Sequence, residues 1–424
     1  MKPEFVDDIF IHLSSPRVLY LNPEAPDWIT INEKYKSILD LFDGKNDEFV
    51  IYEYIKEHYN DEYEILFNQI KSLLENVNIF KHNQNKSYYN ANDFCKPKCI
   101  YITLTDSCNL KCSYCYATER NKQEDTSYEI WCKFITDIIN FSGKPVFTFT
   151  GGEPLTVPYV FDLASFIKER GCECILLTNG TLIDTNEKAE KISKLFDFVK
   201  ISLDSINKDI SSELRGENVL EKVINAHKLL LQNNCNVQIM ATVTSKTIES
   251  VDEFSEYFNN NINFQPLYNI GRSRTNNNLE ISGKQYYDAL TKKGKFKHLH
   301  GYANKILSFR NNPYKRCSYA KEELSIDSIG NIFPCHMMHY DNLLCGNLKN
   351  EEINDIYEKS IVLNKLRKIN VDTLSECKIC VYRNFCGGGC RARNDISKQG
   401  IEGWNKFCEF EQMEILDALI YSYE

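Results

Sequence analysis

Apolar and polar positions alternate in short runs at the start of the chain and settle into longer periods further on. Ile9-Phe10-Ile11-His12-Leu13, Arg17-Val18-Leu19-Tyr20-Leu21 and Trp28-Ile29-Thr30-Ile31 read as three short strands, separated by Ser-Pro and Asn-Pro-Glu-Ala-Pro turns. Helical spacing follows over Tyr35 to Phe42 with Gly44 as a stop, then Val50 to Tyr59 and Tyr63 to Leu74. A hairpin with three helices predicts a small winged-helix-like α+β domain over residues 1–88, followed by a polar linker at 89–99. From residue 100 to about 285, β-rich runs at Ile100–Leu104, Val146–Thr150, Cys174–Thr178, Phe198–Leu203, Val237–Val243 and Phe264–Leu267 alternate with amphipathic stretches. These stretches centre on Ile130–Phe141, Val160–Glu169, Glu187–Leu195, Leu220–Gln232 and Val251–Phe258. Five crossovers between six strands predict an α/β domain with a parallel sheet curled into a partial (β/α)6 barrel. Residues 286–424 open with a bridging helix and are rich in cysteine.

In such sheets functional groups collect at the C-terminal ends of the strands. Cys108-Asn109-Leu110-Lys111-Cys112-Ser113-Tyr114-Cys115 follows the first strand and Gly151-Gly152-Glu153-Pro154 the second. Thr178-Asn179-Gly180 ends the third, and Ser202 with Asp204 closes the fourth. Three thiols in eight residues suit a soft metal or an iron–sulfur cluster, and leave one metal position open to a group that is not protein. A zinc knuckle completed from elsewhere competes with that reading. Glycine at 151 and 152 lets backbone approach a ligand closely. Arg215 and Arg272 lie in loops after the fourth and sixth strands, where a surface or ion-paired role competes with a cofactor contact.

A second cysteine field runs Cys317, Cys335, Cys377, Cys380, Cys386, Cys390 and Cys408, with Gly387, Gly388 and Gly389 inside its last loop. Its CxxC pair also fits zinc. Cys95 and Cys99 have no assignment, and core packing is the reading for Cys132, Cys172, Cys174 and Cys235.

A chain of 424 residues with 42% hydrophobic content can bury a large core. Its net charge of −9, with no basic block, argues against nucleic-acid binding. No stretch reaches the length a bilayer requires, which predicts a cytoplasmic protein without membrane contact. Seventeen cysteines in a reducing compartment are then metal ligands or core residues before they are disulfides.

The CxxxCxxC of Cys108, Cys112 and Cys115, with aromatic Tyr114, resembles the signature of the radical S-adenosylmethionine superfamily. That resemblance implies a [4Fe–4S] cluster on these cysteines, chelated by the amine and carboxylate of S-adenosylmethionine. It implies a cofactor pocket of Tyr114, Gly151, Gly152, Glu153, Thr178, Asn179, Ser202, Asp204 and Arg272, with the glycines and Glu153 at the methionyl amine and Ser202 at the ribose. The second field resembles the SPASM extension of these enzymes, which carries auxiliary [4Fe–4S] clusters, making three in all. By that resemblance Cys317, Cys335 and Cys390 hold an inner cluster, and Cys377, Cys380, Cys386 and Cys408 an outer one. The inner set lacks a fourth ligand, because Glu323 stands where some members have cysteine. Either Cys345 fills that place, or it packs in the core and the iron stays open to a substrate thiolate. Leu21-Asn22-Pro23 and Leu41-Phe42-Asp43-Gly44 resemble the PqqD-like peptide-recognition domain, which binds a leader peptide by β-augmentation; a structural cap is the competing role.

Together these resemblances imply a maturase of a ribosomally made peptide, of the ranthipeptide or sactipeptide type, forming thioethers from cysteine sulfur to carbon. They imply a low-potential flavodoxin or ferredoxin as electron donor. Other peptide crosslinks, formylglycine formation as in sulfatase maturases, and an iron–sulfur electron carrier are the competing functions. The sequence names no general acid or base.

Overall fold

The computed structural model describes residues 2–59, 62–81, 95–117, 124–291, 305–394 and 400–421. Most of the expected linker, and the segment after Thr291 where a bridging helix was expected to continue, lie outside the described residues.

Strands β1 (Phe10–Ser14), β2 (Arg17–Asn22) and β3 (Asp27–Asn32) form an antiparallel sheet with β2 in the middle. The unbroken apolar run of β2 has a direct physical reason, since both its faces are covered. Val18 and Tyr20 pack with Ile29 against α1 (Lys36–Leu39), α2 (Glu48–His58) and α3 (Tyr63–Asn76). Leu19, Leu21 and Trp28 instead join Phe385, Ile415 and Leu419 from the far end of the chain. Thr30 Oγ1 donates to the Leu419 carbonyl at 2.8 Å, and Arg310 Nε to Asp27 at 2.7 Å. The first strands are therefore part of the C-terminal core as well as their own.

Among the described residues the main sheet has nine strands, in the order β12 (Gly346–Asn347), β11 (Asn331–Phe333), β10 (Glu323–Ile326), β4 (Cys99–Thr103), β5 (Val146–Thr150), β6 (Cys174–Thr178), β7 (Phe198–Ser202), β8 (Val237–Val243) and β9 (Ile262–Pro266). Strands β4 to β9 are parallel, as the alternating pattern predicts. Their outward residues, Ile100, Ile102, Phe147, Phe149, Leu176, Val199, Ile201 and Ile239, pack under helices α4 (Tyr128–Ser142), α5 (Val160–Glu169), α6 (Asn186–Leu195) and α8 (Val219–Gln232). In α4 the buried set Trp131, Phe134, Ile135, Ile138 and Phe141 recurs at helical spacing and forms one apolar stripe. The alternate strand residues line the other face: Tyr101, Thr103, Thr148, Thr150, Lys200, Ser202, Gln238 and Thr242 are largely polar, with apolar Ile175, Leu177 and Met240 among them. A parallel sheet buried on both faces reads as continuous apolar runs, so this alternation marks a face that meets something other than a packed core.

A helix after β7 and three strands of the main sheet are absent from the sequence expectations. Helix α7 (Lys208–Arg215) follows β7, capped by the Asn207 side chain on the Asp209 and Ile210 N–H groups. Strands β10 (Glu323–Ile326), β11 (Asn331–Phe333) and β12 (Gly346–Asn347) lengthen the main sheet past β4. β10 runs parallel to β4, pairing Glu323 with Cys99 and Ser325 with Tyr101, so the cysteine-rich region is built onto the main sheet. A further helix, Gly283–Thr291, packs on the C-terminal helix Cys408–Tyr421.

Candidate cluster and cofactor site

β4 delivers the chain to the cysteine loop, and β5 runs beside it past the strand ends. Gly152 N–H donates to the Thr105 carbonyl at 2.8 Å, and Glu153 N–H to that of Ser107 at 2.9 Å. This approach admits no side chain: a Cβ at Gly151 would lie 2.3 Å from Thr105 O, and one at Gly152 2.1 Å from Ser107 O. The backbone of Gly151 also adopts φ +135°, which favours glycine. Cys108 is exposed, and Cys112 and Cys115 are half-buried. Burial pushes the Cys108 and Cys112 thiols above their ordinary value, and the neighbouring thiols of the loop push the same way. A bound metal supplies the positive charge that lets such grouped thiols ionise, so the donor set fits a cluster.

The back of the loop is fastened at several points. Ser113 N–H donates to Leu214 O at 2.8 Å, Arg272 Nε to Cys112 O at 2.8 Å, and Arg272 N–H to Cys115 O at 3.0 Å. The Tyr114 hydroxyl donates to Asp204. Asp204 also accepts from Arg215 Nε at 2.6 Å, Arg215 Nη2 at 2.9 Å and Thr242 N–H at 2.8 Å. Burial alone would lower the Arg215 guanidinium, but the Asp204 charge holds it above its ordinary value. Tyr114, Asp204 and Arg272, expected around the cofactor, thus engage protein groups that set the shape of the loop.

Glu153 is completely buried, and both its carboxylate oxygens are taken. Thr178 Oγ1 donates to Oε1 at 2.7 Å, Leu155 N–H to Oε1 at 3.1 Å and Asn179 N–H to Oε2 at 2.8 Å. Burial raises its carboxyl above the ordinary value against these three bonds. Glu153 therefore locks the ends of β5 and β6 together, while Gly151 and Gly152 form the close approach. Asn179 Nδ2 donates to Asn109 Oδ1 at 2.8 Å and reaches Cys108 Sγ at 3.9 Å, and Asn109 Nδ2 donates to Thr181 at 2.8 Å. Asn109 and Thr181 were not singled out in the sequence, although a polar residue directly after the first cysteine was the available signal. On β7 the Ser202 hydroxyl makes no hydrogen bond among the described residues. Lys200, on the same face, is pushed below its ordinary value by burial.

The seven cysteines of the second field fall into two groups. The thiols of Cys317, Cys335 and Cys390 act on one another, and the Tyr268 hydroxyl reaches Cys390 Sγ at 3.7 Å. Cys377, Cys380, Cys386 and Cys408 line one small cavity with Arg391 and Gln412. Gln412 Nε2 approaches Cys408 Sγ at 3.6 Å and Cys380 Sγ at 3.8 Å. Gly387, Gly388 and Gly389 have φ of 64°, 82° and 67°, so the loop needs glycine for three successive left-handed residues. Cys345 does not join either group. Its thiol donates to Leu343 O at 3.3 Å, and burial pushes it up to about 12. Cys172, Cys174 and Cys235 are core residues, and the Cys95 thiol lies 3.2 Å from Glu322.

Glu323 faces the inner group. Its carboxylate Oε1 accepts from His336 N–H at 3.2 Å and lies 2.9 Å from His336 Nδ1. Burial would raise this carboxyl, but the His336 contacts hold it below the usual value. The His336 ring stacks on Tyr101 with centroids 4.1 Å apart.

A three-thiol loop at the C-terminal ends of a parallel sheet, with two further thiol groups beside it, is a donor set suited to iron–sulfur clusters. Residues 102–258 match the radical SAM superfamily and residues 317–381 match SPASM, the iron–sulfur cluster-binding domain. The chain thus carries a radical SAM domain followed by a SPASM domain, and its cofactors are S-adenosylmethionine and iron–sulfur clusters. The three thiol groups offer places for three clusters. AdoMet-dependent heme synthase of Methanosarcina barkeri is 27% identical over 328 residues, covering 70% of this chain and 92% of that protein. The cysteine-type anaerobic sulfatase-maturating enzyme of Clostridium novyi is 25% identical, covering 72% and 90%. Streptococcus suis SuiB bound to its precursor peptide SuiA superposes with a TM-score of 0.57 at 17% identity, covering 95% of this chain and 98% of that one. No helix among the described residues is long and apolar enough to cross a membrane.

Proposed function

We propose that the protein is a radical S-adenosylmethionine maturase of a ribosomally made, cysteine-containing peptide, forming thioether crosslinks. The observation that carries the reading is the open edge of the N-terminal sheet. Among the described residues β1 pairs with β2 alone, and its Ile11 and Leu13 are 46% and 56% exposed. An unpaired edge with apolar side chains is a template for an added strand. Residues 1–88 then act as a winged-helix-like, PqqD-type domain that holds the leader, while the core segment reaches the polar face of the main sheet, read as a partial (β/α)6 barrel. A peptide substrate is in keeping with the sequence likeness to the cysteine-type anaerobic sulfatase-maturating enzyme and with the shared fold of SuiB, which is bound to a precursor peptide.

Cys108, Cys112 and Cys115 hold the first cluster in this reading, Cys317, Cys335 and Cys390 the inner auxiliary cluster, and Cys377, Cys380, Cys386 and Cys408 the outer one. S-adenosylmethionine bound at the first cluster supplies a deoxyadenosyl radical that takes a hydrogen atom from the peptide. Gly151, Gly152 and Asn179 border the methionyl end of its pocket, and Ser202 offers its hydroxyl to the ribose. Asp204, Arg215, Tyr114 and Arg272 fix the loop, and the sheet face excludes water. One C–H and one S–H are lost as one C–S bond forms, releasing two electrons and two protons. Reductive cleavage of bound S-adenosylmethionine to methionine and 5′-deoxyadenosine would take up both electrons and one proton. A low-potential flavodoxin or ferredoxin primes the clusters, and the enzyme works in the reducing cytoplasm.

Anaerobic co-expression with a cysteine-containing peptide encoded beside the enzyme tests the reading by intact mass and alkylatable thiol count. A loss of two hydrogens per lost thiol, resistant to reductant and abolished by Cys112→Ala, is expected. A second reading, formylglycine formation, is favoured by the likeness to the sulfatase-maturating enzyme; a peptide that gains an aldehyde and loses no thiol to a crosslink would establish it.

A further inference from the structure

Three thiols close three iron positions of a [4Fe–4S] cluster, and the inner group has three. The fourth donor can be sought in what the fold places beside them. β10 and β11 form an antiparallel hairpin pairing Ser325 with Phe333 and Ile326 with Ile332. Continued by two residues, that register sets Glu323 against Cys335. The chain around Cys317 closes on the same point: Glu323 N–H donates to Ser318 O at 3.2 Å, and Tyr319 bridges Glu323. Donor atoms of Glu323, Cys335 and His336 all lie within 4.8 Å of one another. The alternative cysteine, Cys345, is turned away, with its thiol on Leu343 O.

We propose that Glu323 is the fourth protein ligand of the inner auxiliary cluster, binding iron through its carboxylate while His336 orients it. His336 engages Oε1 twice, through its backbone N–H and Nδ1. Oε2 accepts a long 3.5 Å contact from the Ser318 hydroxyl, and the Cys335 thiol also acts on this carboxylate, so a carboxylate oxygen and the thiol lie close enough to share one cluster. The π-stack on Tyr101 fixes the imidazole, so the carboxylate is aimed from β4 as well as from β11. A separate mononuclear ion on Glu323, Cys335 and His336 would leave Cys317 and Cys390 without a cluster, whereas one four-ligand cluster uses every donor gathered there. A hard oxygen donor binds iron of a sulfide cluster less firmly than a thiolate but far better than no ligand, so the position is closed in the parent and keeps its iron under mild oxidation. The inference rests on reading Cys317, Cys335 and Cys390 as cluster ligands and is independent of the peptide chemistry.

The test uses the full chain with Cys108, Cys112 and Cys115 changed to Ala, so that only auxiliary clusters load, and needs neither peptide nor S-adenosylmethionine. Iron content and EPR spectra are recorded after mild ferricyanide oxidation, because a cluster iron without a protein ligand is lost to give a [3Fe–4S] signal. The parent is expected to resist. Glu323→Gln, isosteric but a poor iron ligand, is expected to lose one iron per chain and show the signal, and Glu323→Cys to restore resistance. If Glu323→Gln fails to load the inner cluster at all, loading restored by Glu323→Cys still separates ligation from packing, and loading lost in both variants overturns the proposal. It is equally overturned if Glu323→Gln resists as the parent does, or if the parent converts as readily as the variant. Unchanged iron in Cys335→Ala would instead remove the cluster reading beneath it.

Discussion

Arg215 grips Asp204 through two hydrogen bonds, 2.6 and 2.9 Å long, with both side chains almost wholly buried. Tyr114 reaches the same carboxylate from the cluster loop, so this pair anchors the loop to β7. Changing Arg215 to Ala leaves a buried carboxylate unpaired, a loss of about 3–5 kcal/mol. Arg215→Lys keeps the charge but not the two-pronged geometry. Both variants are expected to lose iron from the first cluster while the auxiliary clusters stay loaded, with Lys the milder. Iron analysis and cluster absorbance of each variant check this, and full loading in Arg215→Ala would show that the pair does not hold the loop.

Gly152→Ala drives a Cβ into the Ser107 carbonyl, 2.1 Å away, and that oxygen is backbone that cannot step aside. The expected outcome is a folded protein whose first cluster loads poorly and whose S-adenosylmethionine cleavage falls at least about tenfold, the equivalent of ~1.4 kcal/mol. Gly143→Ala, which meets nothing within 4 Å, is the control for general handling of the chain, although its φ of +85° carries some strain.

Burial, with the Glu411 charge adding to it, pushes the Glu414 carboxyl up to about 9. The folded state then binds this proton more tightly than the unfolded chain does. Stability is fully present below the ordinary carboxyl range and declines as pH rises from about 4.5 toward 9. Glu414→Gln removes that decline. At pH 8 the loaded variant is expected to melt a few degrees above the parent, and at pH 5 about equally, an effect of ~1 kcal/mol or more. Parallel melting curves at both pH values would contradict the assignment.

On β1, Ile11→Asp with Leu13→Asp places two charges on the edge proposed to receive the leader. Peptide affinity is expected to fall at least tenfold through the loss of about 1.5–3 kcal/mol of apolar burial per side chain. Peptide-independent cleavage of S-adenosylmethionine should not change. Fluorescence anisotropy with a labelled precursor separates the two effects, and undiminished binding would move the leader elsewhere.

Much of this architecture is legible in the chain itself. The six parallel strands announce themselves because each is an apolar run bounded by polar turns, and the helices between them because their apolar residues recur at helical spacing. Cysteine spacing marks the loop and the second field without help from the fold. The rest is short or non-local. β10, β11 and β12 are four, three and two residues long, too brief to carry a period. Arg215 becomes the partner of Asp204 only when α7 returns the chain to β7. Glu323 and His336 meet because of hairpin register, and nothing in either residue's neighbourhood in sequence announces it. The alternation within β4 and β7 was present from the start: Tyr101, Thr103, Lys200 and Ser202 interrupt the apolar runs because that face is not packed.

Trp28 and Phe385, rings 5.7 Å apart, tie the opening hairpin to the helical turn that carries Cys386. Phe10 and Tyr382 repeat the connection at 5.8 Å. The outer thiol cavity and the sheet edge are thus two sides of one wedge, and whatever occupies the cavity braces the platform in front of it. Emptying the cavity would slacken the platform without touching a single strand residue. The metal there would have a mechanical duty, like the keystone of an arch, whether or not an electron ever passes through it.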